Sequence, residues 1–343
     1  MEPLALYYHP ESLDHDTGPH PERVDRIRAI TQVLNAEGLT RVSPFREPPP
    51  ATLEQVTRVH QTGYVASVER LARQGGGALD VDTVVSSGSY RAALRAAGGA
   101  IAAATAVSRS EARRAFSLAR PPGHHARPSM AMGFCLFNNV AIAAREAQAA
   151  LGVGRVAIVD LDVHHGNGTQ ESFYEDGGVL FASTHQYPFY PGSGGINELG
   201  AGAGRGATLN LPLPAGCGDA EYLAALDRAV VPKLERFRPE LLLISLGFDA
   251  HWADPLAMMQ VSIGGYVAMV ERLASLADAL CQGRLALVLE GGYNLEALAY
   301  GVLALGRALR GEPWSDPFGP APTRPPLANV DRILELTREL HGL

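Results

Sequence analysis

The chain has 343 residues, of which 46% are hydrophobic and 19% are charged, enough for one large α/β domain or two smaller ones. The formal net charge of -7 does not indicate a nucleic-acid partner. Cys135, Cys217 and Cys281 are too few and too widely spaced for a disulfide framework or a cysteine-rich zinc site. The sequence has no signal-peptide pattern and no apolar run of about 18 residues. We therefore expect a cytoplasmic protein without a membrane partner.

Short apolar runs alternate along the chain with longer segments of helical spacing. The predicted strands cover residues 4–8, 115–118, 156–161, 179–183, 207–211, 241–246 and 285–289. The predicted helices cover residues 89–107, 138–151, 219–237, 262–281, 295–309 and 329–340. Near-continuous apolar strands that alternate with helices indicate an α/β protein whose parallel sheet is covered by helices on both faces.

No internal repeat divides the chain, and we predict a single domain over residues 1–343 with a core of about 1–310. Residues 311–328 are rich in Pro and Gly and are predicted to form a linker to a C-terminal helix within 329–343. The glycine-rich run 200–206 precedes a predicted strand instead of opening a helix. It is therefore predicted to be a flexible turn and not a nucleotide-binding loop.

Residues 158–166, Ile-Val-Asp-Leu-Asp-Val-His-His-Gly, are the most informative segment. They are predicted to form a buried strand that ends in carboxylates and imidazoles, with Asp160 and Asp162 on the same side. Burying two carboxylates together is costly unless a cation neutralises them. The donors of Asp162 and His164 suit a transition metal such as zinc. A strand end that caps the next helix would explain one Asp, but not the whole pattern.

Polar clusters follow four of the predicted strands, and parallel sheets bind ligands at the carboxyl ends of their strands. The clusters cover residues 120–125, 162–165, 247–251 and 290–293. Asp162, His164 and Asp249 are the best set of three protein ligands, which would leave a catalytic zinc an open position. The four clusters together predict one metal site at one edge of the sheet.

The remaining polar residues of these clusters suggest acid–base chemistry. The pair His124 and His125 could transfer protons, and Asp160 could orient an imidazole. Tyr293 follows two glycines, and its hydroxyl could donate to a substrate carbonyl. Taken singly, His124 or His125 is more simply a bonded, partly buried histidine, Asp249 a cap for the following turn and Tyr293 a packed aromatic ring. His185, His251 and the loop residue His20 are interpreted as structural.

Five motifs resemble those of the histone deacetylase superfamily. They are Arg-Pro-Pro-Gly-His-His at 120–125, Gly-Phe-Cys-Leu-Phe-Asn-Asn at 133–139, Asp-Leu-Asp-Val-His-His-Gly-Asn-Gly at 160–168, Gly-Phe-Asp-Ala at 247–250 and Glu-Gly-Gly-Tyr at 290–293. The resemblance extends from residue 21 to about residue 309, and the superfamily includes acetylpolyamine amidohydrolases and acetoin-utilisation proteins. It implies the arginase-like deacetylase fold, with one parallel sheet of about eight strands between helices.

The resemblance also implies the roles of the site residues. It implies one zinc ion at Asp162, His164 and Asp249, and it makes His125 the favoured general base and later acid. Asp160 would pair with His124, and Asn167 would pair with His125. Asn at position 167, where some members carry Asp, is similar to the class II-like bacterial members. Because Asn cannot supply the charge that raises an imidazole pKa, the proton roles within the His pair stay open.

Further sites are implied by the resemblance alone. A structural potassium ion would bind at Asp160, Ser183 and Thr184, and a second, more peripheral one at Phe173, Asp176 and Val179. The substrate would contact Gly133, Phe134, Tyr190, Leu256, Gly291 and Gly292. Among these, two aromatic rings would form the walls of a channel that suits the apolar stem of a lysine side chain.

The implied activity is zinc-dependent hydrolysis that removes acetyl or other short acyl groups from lysine side chains of proteins or peptides. Leu256 favours this substrate, because polyamine-selective relatives carry Glu at the matching place. Acetylpolyamines and other small acetylated amines remain an alternative. A binuclear manganese ureohydrolase is disfavoured, because residues 247–251 supply only one Asp ligand, Asp249, where such an enzyme needs a second full set. A non-catalytic acyl-lysine binder is disfavoured, because the set of catalytic residues is complete. The acyl preference and the oligomeric state stay open.

Overall fold

Eight parallel strands form a central sheet, and two short strands pair separately. A computed structural model describes residues 2–322 and 325–343 of the protein. The strands are β1 Glu2–Tyr7, β2 Phe45–Arg46, β3 Gly76–Ala78, β4 Val84–Ser86, β5 Ala112–Ser117, β6 Val156–Asp160, β7 Val179–Gln186, β8 Thr208–Leu213, β9 Leu241–Leu246 and β10 Leu285–Leu289. The central sheet has the order β2-β1-β5-β10-β9-β6-β7-β8, and β3 pairs with β4 in antiparallel fashion.

Twelve α-helices lie among the described residues. They are α1 Asp25–Ala36, α2 Leu39–Val42, α3 Leu53–Thr57, α4 Thr62–Arg73, α5 Ser89–Ser108, α6 Asn139–Ala150, α7 Asn167–Phe173, α8 Asp219–Ala225, α9 Val231–Phe237, α10 Ile263–Cys281, α11 Leu295–Leu309 and α12 Val330–His341. A π-helical turn, Leu226–Val230, joins α8 to α9. Within the described ranges, no helix has both the length and the apolar character that a membrane crossing requires.

Side chains of each central strand are buried on alternate faces of the sheet. In β10, Leu285, Leu287 and Leu289 join one buried cluster together with residues of α1, α10 and α11. Ala286 and Val288 of the same strand join a second cluster, with residues of α5 and α6 on the opposite face. This period of two, with apolar side chains on both faces, is the reason the strands read as continuous apolar runs. The predicted architecture is therefore confirmed.

The strands predicted at residues 241–246 and 285–289 have the observed bounds, and the other predicted strands differ at their ends. Strand β6 ends at Asp160, so Asp162 and His164 lie in the connection that follows it. The predicted helix at 219–237 is α8, the π turn and α9 in succession. The proposed linker 311–328 includes residues 323 and 324, which lie outside the described residues. Its described part contains neither a helix nor a strand.

Candidate metal centre and active site

The sequence motifs converge because β5, β10, β9 and β6 are consecutive neighbours in the sheet. Their carboxyl ends therefore open on one edge, and each connection that follows carries polar residues to that edge. The register aligns Asp160 of β6 with Ser245 of β9 and with Ser183 of β7. The candidate site lies directly beyond these positions.

Asp162, His164 and Asp249 form a buried cluster in which one ligand atom from each residue lies within 4.8 Å of the others. Nδ1 of His164 is 3.1 Å from Oδ1 of Asp162 and 3.2 Å from Oδ2 of Asp249. Among the described residues this is the one group of three or more His, Cys, Asp or Glu side chains that could hold a metal ion. Two carboxylates and one imidazole form a donor set that suits a borderline divalent ion such as zinc.

The electrostatics of this cluster fit a cation. Burial disfavours a charged imidazole, but the neighbouring carboxylates of Asp162 and Asp249 raise the pKa of His164 to about 10. Burial and the Asp162 carboxylate raise the pKa of Asp249. Oδ2 of Asp249 is buried and forms no hydrogen bond among the described residues, although Nδ1 of His164 lies 3.2 Å from it. An unpartnered carboxylate oxygen beside a second carboxylate is the arrangement that a bound cation would stabilise.

Two glycines allow the backbone to approach these carboxylates. A Cβ atom on Gly247 would lie 1.9 Å from Oδ2 of Asp162, and one on Gly291 would lie 2.6 Å from the same oxygen. The amide of Gly291 donates a hydrogen bond to this oxygen over 2.8 Å. Any side chain at Gly247 or Gly291 would therefore displace the Asp162 carboxylate.

The tandem histidines have different partners. Nδ1 of His124 is 3.0 Å from Oδ2 of Asp160, and Nδ1 of His125 is 2.8 Å from Oδ1 of Asn167. Although burial opposes it, the carboxylates of Asp160 and Asp162 raise the pKa of His124 to about 10. Burial and the positive charge of His124 hold the pKa of His125 well below its ordinary value. His125 is therefore the neutral member of the pair.

Met132 determines which way the side-chain amide of Asn167 faces. Its Nδ2 donates to the sulfur of Met132 over 3.4 Å, and a thioether can only accept. Oδ1 of Asn167 must then face His125, so Nδ1 of His125 carries the hydrogen and Nε2 has the free lone pair. The neighbouring Tyr190 ring packs edge-on against His125, with 5.2 Å between centroids.

Glu290 is a buried residue of the site to which the sequence analysis assigned no role. Its Oε2 accepts hydrogen bonds from the amides of Gly123, at 2.6 Å, and His124, at 3.1 Å. Its Oε1 accepts one from the hydroxyl of Ser245 at 3.3 Å. This carboxylate holds the backbone of the histidine pair against β9 and β10. A Glu that directly follows an apolar strand was the available sequence signal.

Tyr293 lies in a turn that a buried arginine supports. Arg26 donates to the carbonyl of Gly292 over 2.7 Å and to that of Glu290 over 2.6 Å. Its guanidinium carbon is 5.1 Å from the centroid of the Tyr293 ring. Burial and the Asp249 carboxylate raise the pKa of Tyr293 well above its ordinary value, so its hydroxyl stays a donor near neutral pH.

Aromatic rings border the cluster on two sides. Phe134 packs edge-on against Tyr293 at 5.8 Å and against His20 at 4.5 Å between centroids. On the other side, Phe189 stacks on His164 with centroids 5.4 Å apart, and its neighbour Tyr190 is 37% exposed. Phe134 has a left-handed backbone with φ of 69°. The contacts of His20 and Phe189 with the site were missed by sequence reasoning.

Gly133 precedes Phe134 and also has a positive φ of 55°. A Cβ atom there would lie 2.4 Å from the ring of His125. The turn can therefore approach the histidine only with glycine at this position. Leu256, the remaining residue expected at the substrate mouth, is half-buried, and its amide donates to Asp254 over 2.9 Å.

Residues 20–309 match the histone deacetylase domain. The chain belongs to the histone deacetylase family. A probable deacetylase of Archaeoglobus fulgidus is 44% identical over 311 residues, which cover 90% of this chain and 86% of that protein. A histone deacetylase-like amidohydrolase of Pseudomonas aeruginosa is 44% identical over 293 residues, which cover 85% of this chain and 77% of that protein. The family predicted from the motifs is thus confirmed.

A solved structure described as the HDA15 HD domain matches this histone deacetylase family member with a TM-score of 0.90. The two chains are 35% identical, and the match covers 98% of this chain and 94% of the other. Together with the sheet order, this likeness confirms the arginase-like deacetylase fold.

In this family member, the residues expected to bind structural potassium lie close together near the Asp162–His164–Asp249 cluster. Asp160, Ser183 and Thr184 are buried on neighbouring strands, and the Thr184 hydroxyl donates to the Asp160 carbonyl over 3.4 Å. The hydroxyl of Ser183 is 2.9 Å from Nδ1 of His185. His185 thus has a partner that its spacing did not suggest. Potassium here remains a prediction.

The region expected to bind a second potassium ion already contains a fixed positive charge. The carboxylate of Asp176 pairs with Arg145 and also accepts the amide of Gly178 over 2.7 Å. The Arg145 guanidinium lies 4.5 Å from the centroid of the Phe173 ring. Because this carboxylate is neutralised by an arginine, an ion bound near Val179 would depend on carbonyl oxygens. The second site remains a prediction.

Proposed function

We propose that this chain is a zinc-dependent hydrolase that removes acetyl or other short acyl groups from lysine side chains of proteins or peptides. The observation that supports this proposal is the convergence of the buried Asp162–His164–Asp249 cluster with the His124–His125 pair: Nε2 of His124 is 3.7 Å from Oδ1 of Asp162, and the rings of His125 and His164 have centroids 5.8 Å apart. A cation held by the cluster would polarise the amide carbonyl and activate a water molecule. The single ligand cluster among the described residues favours one ion over two.

His125 would act as the general base. Its Nδ1 is hydrogen-bonded to Asn167, so the lone pair of Nε2 is available to take a proton from the attacking water. The same nitrogen could return that proton to the leaving amine, so that the products are a carboxylic acid and a free amine. His124, paired with Asp160, would stabilise the developing charge beside it. Glu290 would keep both imidazoles in position through the backbone.

Tyr293 would donate a hydrogen bond to the carbonyl oxygen as negative charge develops on it. Its hydroxyl stays protonated because burial and Asp249 raise its pKa. A single donor of this type contributes about 10²- to 10³-fold to turnover. The turn held by Arg26 would fix the approach of this donor.

The acyl-lysine stem would lie between the aromatic residues on the two sides of the cluster, Phe134 and Tyr190. Such rings suit an apolar stem of four carbons. Leu256 carries no charge to pair with a second ammonium, and this favours lysine over a polyamine.

A different observation favours acetylated polyamines as the second candidate substrate. Asp80 and Asp82 lie near Phe134 and His20. The Thr83 hydroxyl accepts the amide of Phe134 over 3.1 Å, the carbonyl of Asp82 is 3.1 Å from Nε2 of His20, and Oδ1 of Asp80 accepts the amide of Asp82 over 3.0 Å. Among residues 2–322 and 325–343, neither carboxylate belongs to an ion pair. Such carboxylates could bind a distant ammonium group of the substrate.

A turnover panel on zinc-loaded protein tests the proposal and separates the two candidates. The panel contains acetyl-lysine peptides, longer acyl-lysine peptides and N-acetylated polyamines, each scored by kcat/KM. Higher values for acyl-lysine peptides are expected. Preference for the polyamines would replace the first substrate by the second. Binding without any turnover would reduce the chain to an acyl-lysine binder.

A further inference from the structure

Asp254 is a buried carboxylate that joins two segments of the active site. Only 7% of its surface is exposed. Oδ2 accepts the amide of Tyr293 over 2.7 Å and that of Asn294 over 3.2 Å, while Oδ1 accepts the amide of Leu256 over 2.9 Å. The side chain of Asn294 adds a return bond to the carbonyl of Ala253 over 2.9 Å. The turn that carries Tyr293 is thus tied to the segment that carries Leu256.

We propose that Asp254 is a positioning residue for the Tyr293 hydroxyl and that it makes this turn and the substrate-mouth segment one rigid unit. The inference rests on the proposed function for the role of that hydroxyl. Asp254 holds the turn on one side through backbone amides, and Arg26 holds it on the other through the Gly292 and Glu290 carbonyls. An acceptor and a donor thereby fix both polar sides of the same turn.

Only a group with two acceptor oxygens can satisfy this arrangement. Asn has the same shape as Asp, but one of its two polar atoms is a donor. In Asp254→Asn, either the Tyr293 amide or the Leu256 amide would face an NH₂ group. One of the two segments would then lose its link, although the size of the side chain is unchanged.

The connection has a consequence for specificity. Leu256 is the residue that the family resemblance places in contact with the substrate, and its amide shares one carboxylate with the amide of Tyr293. A change of side chain at position 256 would therefore alter the turnover number as well as substrate binding. A misplacement of about 1 Å at the Tyr293 hydroxyl could cost about 100-fold in rate.

The test compares Asp254→Asn with Asp316→Asn in the full-length zinc-loaded protein. Asp316 is a matched control, because its carboxylate also accepts three backbone amides, those of Phe318, Gly319 and Gly264, none of which belongs to the turn of Tyr293 or to the segment of Leu256. With an acetyl-lysine peptide, Asp254→Asn is expected to lower kcat about 10- to 100-fold while KM changes less than about threefold. The control should keep its kcat.

A double variant separates positioning from a general loss of packing. If Asp254 acts through Tyr293, adding Asp254→Asn to Tyr293→Phe should slow the enzyme by no more than about twofold beyond Tyr293→Phe alone. Multiplicative losses in the double variant would overturn the proposal, and so would an unchanged kcat in Asp254→Asn. An equal loss of kcat in Asp316→Asn would assign the effect to stability alone.

Amide hydrogen exchange provides a readout that does not depend on turnover. In the unsubstituted chain, the amides of Leu256, Tyr293 and Asn294 should exchange slowly, and in Asp254→Asn at least one segment should exchange faster while Asp316→Asn leaves all three unchanged. Fast exchange of these amides in the unsubstituted chain would overturn the proposal even if no variant folds. If no acyl substrate is hydrolysed, the proposed function fails, whereas the exchange result still decides whether Asp254 holds the turn.

Discussion

Gly291 lies so close to Asp249 that a Cβ atom added to it would be 2.2 Å from the carboxylate Oδ2. Non-bonded carbon and oxygen atoms do not approach so closely. The substitution Gly291→Ala must therefore displace either the Asp249 carboxylate or the turn before Tyr293. We expect the affinity for zinc to fall at least about 10- to 100-fold, measured by competition with a chromogenic chelator.

Gly63→Ala is the control for this substitution. A Cβ atom on Gly63 would meet no atom within 4 Å, and the residue lies in α4. The control should bind zinc normally and gain up to about 1 kcal/mol of stability, because alanine favours helices. Unchanged zinc affinity in Gly291→Ala would contradict the assignment of Asp162, His164 and Asp249 as the zinc ligands.

Removal of the Tyr293 hydroxyl should slow turnover without loss of zinc. In Tyr293→Phe we expect kcat to fall about 10²- to 10³-fold, because one donor to the developing oxyanion is lost. Tyr266→Phe is a matched control, since the buried hydroxyl of Tyr266 has no hydrogen-bond partner among the described residues. Steady-state kinetics and metal analysis check both variants. Near-normal turnover in Tyr293→Phe would remove this residue from the mechanism.

A negative charge at position 256 should change the substrate preference. Leu256→Glu places a carboxylate next to the segment that is tied to Tyr293, where it can attract the distant ammonium of a polyamine. We expect the ratio of kcat/KM for an N-acetylpolyamine to that for an acetyl-lysine peptide to rise about tenfold or more, since a complementary charge speeds the association of a charged ligand by about 10-fold or more. Leu256→Gln is the neutral control. An equal ratio in all three proteins would count against the role of this position.

His60 should make the protein sensitive to acid. Its Nδ1 is 3.0 Å from the carbonyl of Arg127, and its Nε2 accepts the amide of Asn138 over 2.8 Å, so the fold requires a neutral imidazole. Burial lowers its pKa from 6.5 to about 4. Between these two values the unfolded chain binds the extra proton, so stability is lost as the pH falls from about 6.5 to about 4, by at most about 3 kcal/mol.

His60→Gln tests this pH dependence, because glutamine offers one donor and one acceptor but does not titrate. Urea unfolding at pH 7 and at pH 4.5 should show a smaller loss of stability in the variant than in the unsubstituted chain. His165 and His251 also have pKa values lowered to about 4 by burial, so part of the acid sensitivity should persist in the variant. Identical losses in the two proteins would show that His60 is not neutral in the fold.

The central strands could be predicted because both of their faces are buried. The apolar runs at 241–246 and 285–289 begin and end with leucine, and Ser245 is their one polar residue. Strands β3 and β4 were not predicted, since Gly76 and Gly77 give the first no side chains with strand preference. Strand β2 consists of only Phe45 and Arg46, too short for any periodicity. Helix α4 was also missed, although its buried Tyr64, Val65, Val68 and Ala72 follow helical spacing.

The residues of the site could be predicted where a motif carries several polar groups at a strand end. Asp162 and His164 are examples, because their spacing alone indicates a metal. The supporting residues could not be found in this way. Arg26 contacts Gly292 across 266 positions of the chain, and Glu290 contacts Gly123 across 167. Such contacts join a side chain to distant backbone. The strand end marks Glu290 as a candidate, but no local pattern identifies the partner of either residue.

Stepwise return of zinc to metal-free protein tests the central claim most directly. The full-length chain would be stripped with a chelator, and its turnover of an acetyl-lysine peptide followed as zinc is added. We predict that the stripped protein is inactive, that activity rises linearly and levels off at about one ion per chain, and that Asp249→Asn prevents this recovery. Undiminished turnover after complete removal of metal, or recovery only at two ions per chain, would contradict the account.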